Sequence, residues 1–148
     1  MAAKIAHTHK MKKYCLFLDD QRIPETVTWV HLPKVKWVIV RDYDEFIKTI
    51  EEKGLPEFIA FDHDLGWQHM KDYLNVAPIE EQIPNPLKLN YNKYTEKTGY
   101  DCAKWLVNYC QENNLPIPNY AVHSMNHIGR RNIESYLENY TKSTLKTS

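Results

Sequence analysis

Apolar residues fall in four short runs, and three of these stop at aspartate or histidine. Phe58-Ile59-Ala60-Phe61 runs into Asp62-His63-Asp64 and then Gly66, Tyr14-Cys15-Leu16-Phe17-Leu18 into Asp19-Asp20, and Tyr120-Ala121-Val122 into His123-Ser124. Trp37-Val38-Ile39-Val40 is the fourth run. Short unbroken apolar runs bounded by turn residues predict strands buried on both faces, as in a parallel sheet. The first strand is expected from about Lys13 to Leu18.

Between these runs the apolar spacing switches to three and four. Phe46, Ile47 and Ile50 predict a helix over Tyr43 to Lys53, capped by Asp42 or Asp44 and ended by Gly54 and Pro56. Ala103, Leu106, Val107 and Cys110 predict a second helix, opened by Thr98 and running to Asn114. Thr98 and Asp101 have capping-box spacing, with Asp in place of the usual Glu. Ile133 and Leu137 predict a final helix from Asn126 to about Tyr140. Pro24 and Pro33 interrupt the stretch between the first two strands, so its crossover helix is expected to be short or missing.

Strands alternating with helices predict an α/β fold with an open parallel sheet of about four strands and right-handed crossovers. Residues 13–141 read as a single domain. Residues 1–12 read as a flexible polar leader, whose His7 and His9 are left out of the site. Residues 67–97 carry Pro78, Pro84 and Pro86 without a period, and read as an insertion that serves as a lid or substrate wall. The Ser/Thr/Lys-rich stretch 142–148 is expected to fray.

The chemistry follows from the strand ends. In open α/β sheets, ligands sit outside the carboxyl ends of the strands. Parallel strands would gather Asp19, Asp20, Asp62 and Asp64 at one cleft, where four carboxylates cannot all stay ionised without a cation. Oxygen ligands of this kind suit Mg²⁺ or Mn²⁺. The sequence leaves open whether Asp62 or Asp64 points into the cleft. His63 and His123 add proton shuttles or metal ligands near neutral pH. Flanking a scissile phosphate, they would be one general acid and one general base, so the catalytic candidates are His63, His123 and Asp62. Arg22, Ser124, Asn126 and Arg130 are candidate clamps for phosphate oxygens, since Arg forks and helix N-termini favour anions.

Composition narrows the classes. The 148 residues carry 19 basic and 19 acidic side chains, a formal net charge of zero. Such a balance argues against a strong duplex nucleic-acid surface. No apolar run approaches the ~20 residues of a membrane span. The three cysteines, Cys15, Cys102 and Cys110, lack metal-type spacing and are expected to be reduced, buried thiols of a cytoplasmic protein.

Asp19-Asp20 after the first strand, Asp62 after the third and Ser124 after the fourth resemble the receiver domains of two-component signalling. That resemblance implies a Mg²⁺-binding acidic pair and a phospho-accepting Asp62. Receivers also need a Lys after a fifth strand, and neither is found here. The chain resembles more closely a divergent branch, the cyclic-phosphate-processing receiver-like family. Four blocks carry the likeness in order: Leu18-Asp19-Asp20-x-Arg22-x-Pro24, Phe61-Asp62-His63-Asp64-Leu65-Gly66, Thr98-Gly99, and Val122-His123-Ser124-x-Asn126-x-x-Gly129. The resemblance implies a metal-assisted phosphoesterase acting on a cyclic phosphate, either a 2′,3′-cyclic RNA end or a cyclic nucleotide. Its partner would be a phosphorylated small molecule or an RNA end. The competing reading is a non-catalytic pseudo-receiver that binds a protein partner or a phosphorylated ligand. The missing Lys fits that reading, but the clustered histidines do not.

Overall fold

Leu18 closes the sheet in a row with Val40 on one side and Phe61 on the other, and Phe61 is in turn level with Val122. In the computed structural model, which describes residues 13–65 and 97–147, these four residues end four parallel strands. The strands are β1 (Cys15–Leu18), β2 (Trp37–Val40), β3 (Phe58–Phe61) and β4 (Asn119–Val122), in the order β2-β1-β3-β4. The expected leader, 1–12, and all but the last residue of the expected insertion lie outside the described residues.

Period-two alternation separates the two faces of the sheet. Leu16, Leu18, Val40, Ile59, Phe61 and Val122 face three helices: α1 (Tyr43–Lys53), α2 (Gly99–Asn113) and α3 (His127–Thr147). Phe46, Ile50, Leu106, Ile133 and Leu137 supply the facing helix stripes, all fully buried. Each such side chain contributes about 1.5–3 kcal/mol through burial. On the opposite face, Phe17 and Ala60 bury against Val27, with Val30, Leu32 and Trp37 packed alongside. The crossover expected to be short or missing is a single 3₁₀ turn over Pro24–Thr26, so this face is covered by irregular chain.

The helix boundaries follow local chemistry. Asp42 is the cap of α1, accepting the Glu45 N–H at 2.9 Å, and Gly54 ends the helix at φ 85°. Thr98 and Asp101 form the expected capping box of α2, which ends at a left-handed Asn114. Asn126 accepts the Gly129 N–H at the start of α3. That helix continues to Thr147, past the end near Tyr140 that the apolar spacing predicts. The Tyr140 hydroxyl donates to the Leu115 carbonyl at 3.2 Å, which fastens the helix to the turn after α2. Cys15, Cys102 and Cys110 are buried free thiols, and no helix among the described residues is long and apolar enough to cross a membrane.

Candidate functional site

The chain steps from β1 outward to β2, then returns to place β3 on the other side of β1. The β1–β3 boundary is therefore the topological switch point, where ligands bind in open α/β sheets. The ladder runs one residue beyond the strands there. The Asp19 N–H donates to Val40 O at 3.1 Å, Asp62 N–H to Leu18 O at 3.0 Å, and His123 N–H to Phe61 O at 2.9 Å. Asp19, Asp62 and His123 thus form the next row of the sheet. Parity puts them on the face of Phe17 and Ala60, away from the helices.

Their side chains converge. One ligand atom from each lies within 4.8 Å of the other two, and all three residues are buried. His123 Nε2 is 3.0 Å from Asp19 Oδ2, and its ring lies flat on Phe17 at a centroid distance of 4.7 Å. The other ring nitrogen, Nδ1, is buried with no hydrogen-bond partner among the described residues. Asp19 Oδ1 accepts the N–H groups of Gln21 and Arg22 at 2.9 and 2.8 Å, folding the loop back over the strand end. Burial pushes the Asp19 carboxyl up, but the His123 hydrogen bond, the two N–H groups and the His123 charge outweigh it and hold it below its ordinary range. Asp62 goes the other way. Burial first, then the charges of Asp19 and Asp64, push it well above the carboxylate range, against the Arg22 charge and the His63 N–H. Asp20 is half-buried and also raised, by burial and then by the charge of Asp19.

A second group occupies the helix side of the same edge. His63 Nδ1 lies 2.7 Å from Asp64 Oδ1, and Asn126 Nδ2 donates to that oxygen at 2.9 Å. Asn126 Nδ2 also stands 3.3 Å from His63 Nδ1. Two donors converge on one carboxylate oxygen, so Nδ1 carries the hydrogen and the His63 tautomer is set by Asp64. Asn126 Oδ1 is engaged as the cap of α3, so both ends of its amide are held inside the protein. Gly129 lets α3 approach: a Cβ there would run into the His63 ring. Gly99 does the same for α2, whose N–H donates to His63 O at 2.8 Å, because a Cβ there would run into the Asp62 carbonyl.

Arg22 is half-buried, with its guanidinium 3.5 Å from Asp19 Oδ2. Ser124 is buried and its Oγ accepts the Asn126 N–H at 3.1 Å. Arg130 Nε pairs with Glu134 one turn along α3, at 3.0 Å. Two contributors were not among the sequence candidates. Arg41 follows β2 and donates to the carbonyls of Asp19 and Arg22 at 2.9 and 2.7 Å, so it braces the acidic loop. Trp29 donates its indole N–H to His123 O at 2.7 Å. A cation directly after a strand end was the available signal for Arg41. Nothing local marks Trp29.

The profile of the family described as "Cyclic-phosphate processing Receiver domain" matches residues 14–139. The chain belongs to that family. Membership ties it to cyclic-phosphate processing on a receiver fold, and it agrees with the parallel sheet and with the acidic strand ends. No curated protein and no solved structure matches the chain.

Proposed function

We propose that this member of the cyclic-phosphate processing receiver family is a metal-assisted phosphoesterase that opens a cyclic phosphate on a nucleotide or an RNA end. One observation carries the reading: a mixed carboxylate–imidazole set and a carboxylate-held histidine share the switch point of the sheet. The first set suits a divalent cation. Asp62 is a buried carboxyl disfavoured as an anion by Asp19 and Asp64, and a nearby positive charge relieves that penalty. Two carboxylates fit Mg²⁺ or Mn²⁺, and the imidazole nitrogen tips the set towards Mn²⁺. Asp19, Asp62 and His123 would hold the cation, with Asp20 at the rim.

A cation there supplies charge that offsets the negative charge building on the phosphoryl oxygens and acidifies a nearby water. Asp64 keeps the hydrogen of His63 on Nδ1, so Nε2 is the atom that exchanges protons. His63 takes a proton from the attacking water as its oxygen bonds to phosphorus. The bond from phosphorus to one sugar oxygen breaks, and that oxygen receives the proton from His63. One water is consumed and an acyclic phosphomonoester results. His123 serves as a ligand in this scheme, because its ring is stacked on Phe17 and its Nε2 lies on Asp19. Arg22 and Ser124 hold phosphate oxygens, and Asn126 positions the His63–Asp64 pair.

The test is turnover of adenosine 2′,3′-cyclic phosphate with Mg²⁺ or Mn²⁺. Wild type opens the ring, and His63→Ala and Asp62→Asn each lower the rate by about a hundredfold or more. Wild-type protein that opens no cyclic phosphate with either metal overturns the reading in favour of a binding module.

A further inference from the structure

Trp29 joins the site to a cavity that the proposed chemistry does not use. The space measures about 1050 Å³, opens to solvent, and is lined by the irregular chain between Pro24 and Trp37. Its walls include Trp29, Trp37, Leu32 and Pro33, with Glu25 and His31 among the polar positions. Ligand sites commonly enclose ~300–1,000 Å³ of mostly apolar wall with a few polar groups. The Trp29 indole is 38% exposed, yet it is pinned by its N–H on the His123 carbonyl at 2.7 Å. Its ring also carries the Arg22 guanidinium 5.2 Å from its centroid, and the same guanidinium is 3.5 Å from Asp19 Oδ2. Trp29 therefore offers an accessible aromatic surface that lines the hollow and also touches the His123 end of the carboxylate cluster, with the Arg22 guanidinium beside it.

We propose that Trp29 is the stacking surface for the base of the substrate, which makes the substrate a nucleoside cyclic phosphate and not a base-free one. The phosphate lies by Asp19, Asp62 and His123, and the base lies against Trp29 in the cavity. This rests on the phosphoesterase reading. A planar base suits these walls because every base offers a π face to an aromatic ring, and its edges can meet Glu25 or His31. Trp29 is thus a specificity-determining residue and takes no part in bond breaking. Loss of one base–aromatic stack typically weakens binding by about five- to 150-fold.

The experiment is calorimetric titration, with Mn²⁺ present, of slowly hydrolysed phosphorothioates. One is adenosine 2′,3′-cyclic phosphorothioate. The other is the methyl riboside analogue, which has no base. Wild type is expected to bind the nucleoside about tenfold tighter or more. Trp29→Ala should lose that difference, and Trp29→Phe should keep most of it. Phenylalanine retains a stacking face but cannot donate to the His123 carbonyl, so retention separates stacking from a loop-fastening role. Equal wild-type binding of the two ligands overturns the base site and leaves the phosphoesterase reading standing. A Trp29→Phe variant as weak as Trp29→Ala also overturns the base site. Failure of wild type to bind either ligand overturns both.

Discussion

His123 Nε2 stands 3.0 Å from Asp19 Oδ2, although 104 residues separate them in the chain. The contact exists because β3 lies between β1 and β4 and all three strands end level. It ties the first and last strand ends across the switch point and makes an acidic floor into a mixed nitrogen–oxygen set.

Cation binding should stabilise the fold through that set. Mn²⁺ at about a hundredfold excess over its Kd is expected to add about 2.7 kcal/mol to unfolding. Asp19→Asn and Asp62→Asn should each abolish most of this gain, as read from thermal unfolding with and without Mn²⁺. An equal Mn²⁺ effect in wild type and both variants would place the cation elsewhere.

The metal-free protein should depend on pH in a way that Asp62→Asn removes. Asp62 is raised by burial and by Asp19 and Asp64, so its contribution is most favourable while protonated and is lost as pH rises through the raised value. Asp19 is lowered on balance, so the stability it contributes is present above about pH 4 and lost on acidification. Asn keeps an oxygen for the His63 N–H without the charge. In EDTA, the stability of Asp62→Asn relative to wild type should therefore rise from about pH 5 to about pH 8. Urea unfolding at the two pH values measures it.

Gly129→Ala should damage the site although Ala favours helix by about 1 kcal/mol. The new Cβ runs into the His63 ring, and overpacking of this kind costs about 1–3 kcal/mol. Net destabilisation and a turnover loss of about tenfold or more are expected, the latter because His63 must move from Asp64. Denaturant titration and turnover of the same preparation check both effects.

Asn126→Asp separates the two tasks of Asn126. Asp caps helices about as well as Asn, so the Gly129 N–H stays satisfied. A carboxylate placed against Asp64 repels it and removes the donor that now holds it. Because Asn126 is buried, that repulsion is expected to outweigh the retained cap and cost about 3–5 kcal/mol, with turnover lowered about tenfold. Asn126→Ala should lose stability as well, by about 1–2 kcal/mol.

The strands and helices were legible in the sequence because each run carries its own signal. Phe58 to Phe61 is unbroken and β-like, and Thr98 and Asp101 announce the start of α2. The family likeness was also legible, since its four blocks fall at strand ends and helix starts. The partition of the site was not. Asp62 and Asp64 differ by two positions, and which one joins Asp19 depends on the ladder continuing to Asp62 N–H and on Asp64 turning to His63 and Asn126. Asn126 reads as a clamp for phosphate until its amide is found engaged at both ends. Trp29 lies in a stretch with no period, and its place by His123 is set by a contact across 94 residues.

The most direct measurement is phosphorus NMR of adenosine 2′,3′-cyclic phosphate incubated with wild-type protein and Mn²⁺ in water enriched in heavy oxygen. The cyclic signal is expected to give way to a phosphomonoester signal carrying one heavy oxygen on phosphorus, and His63→Ala is expected to slow this by about a hundredfold or more. A cyclic signal that persists, or a product without heavy oxygen on phosphorus, would contradict water attack at this site.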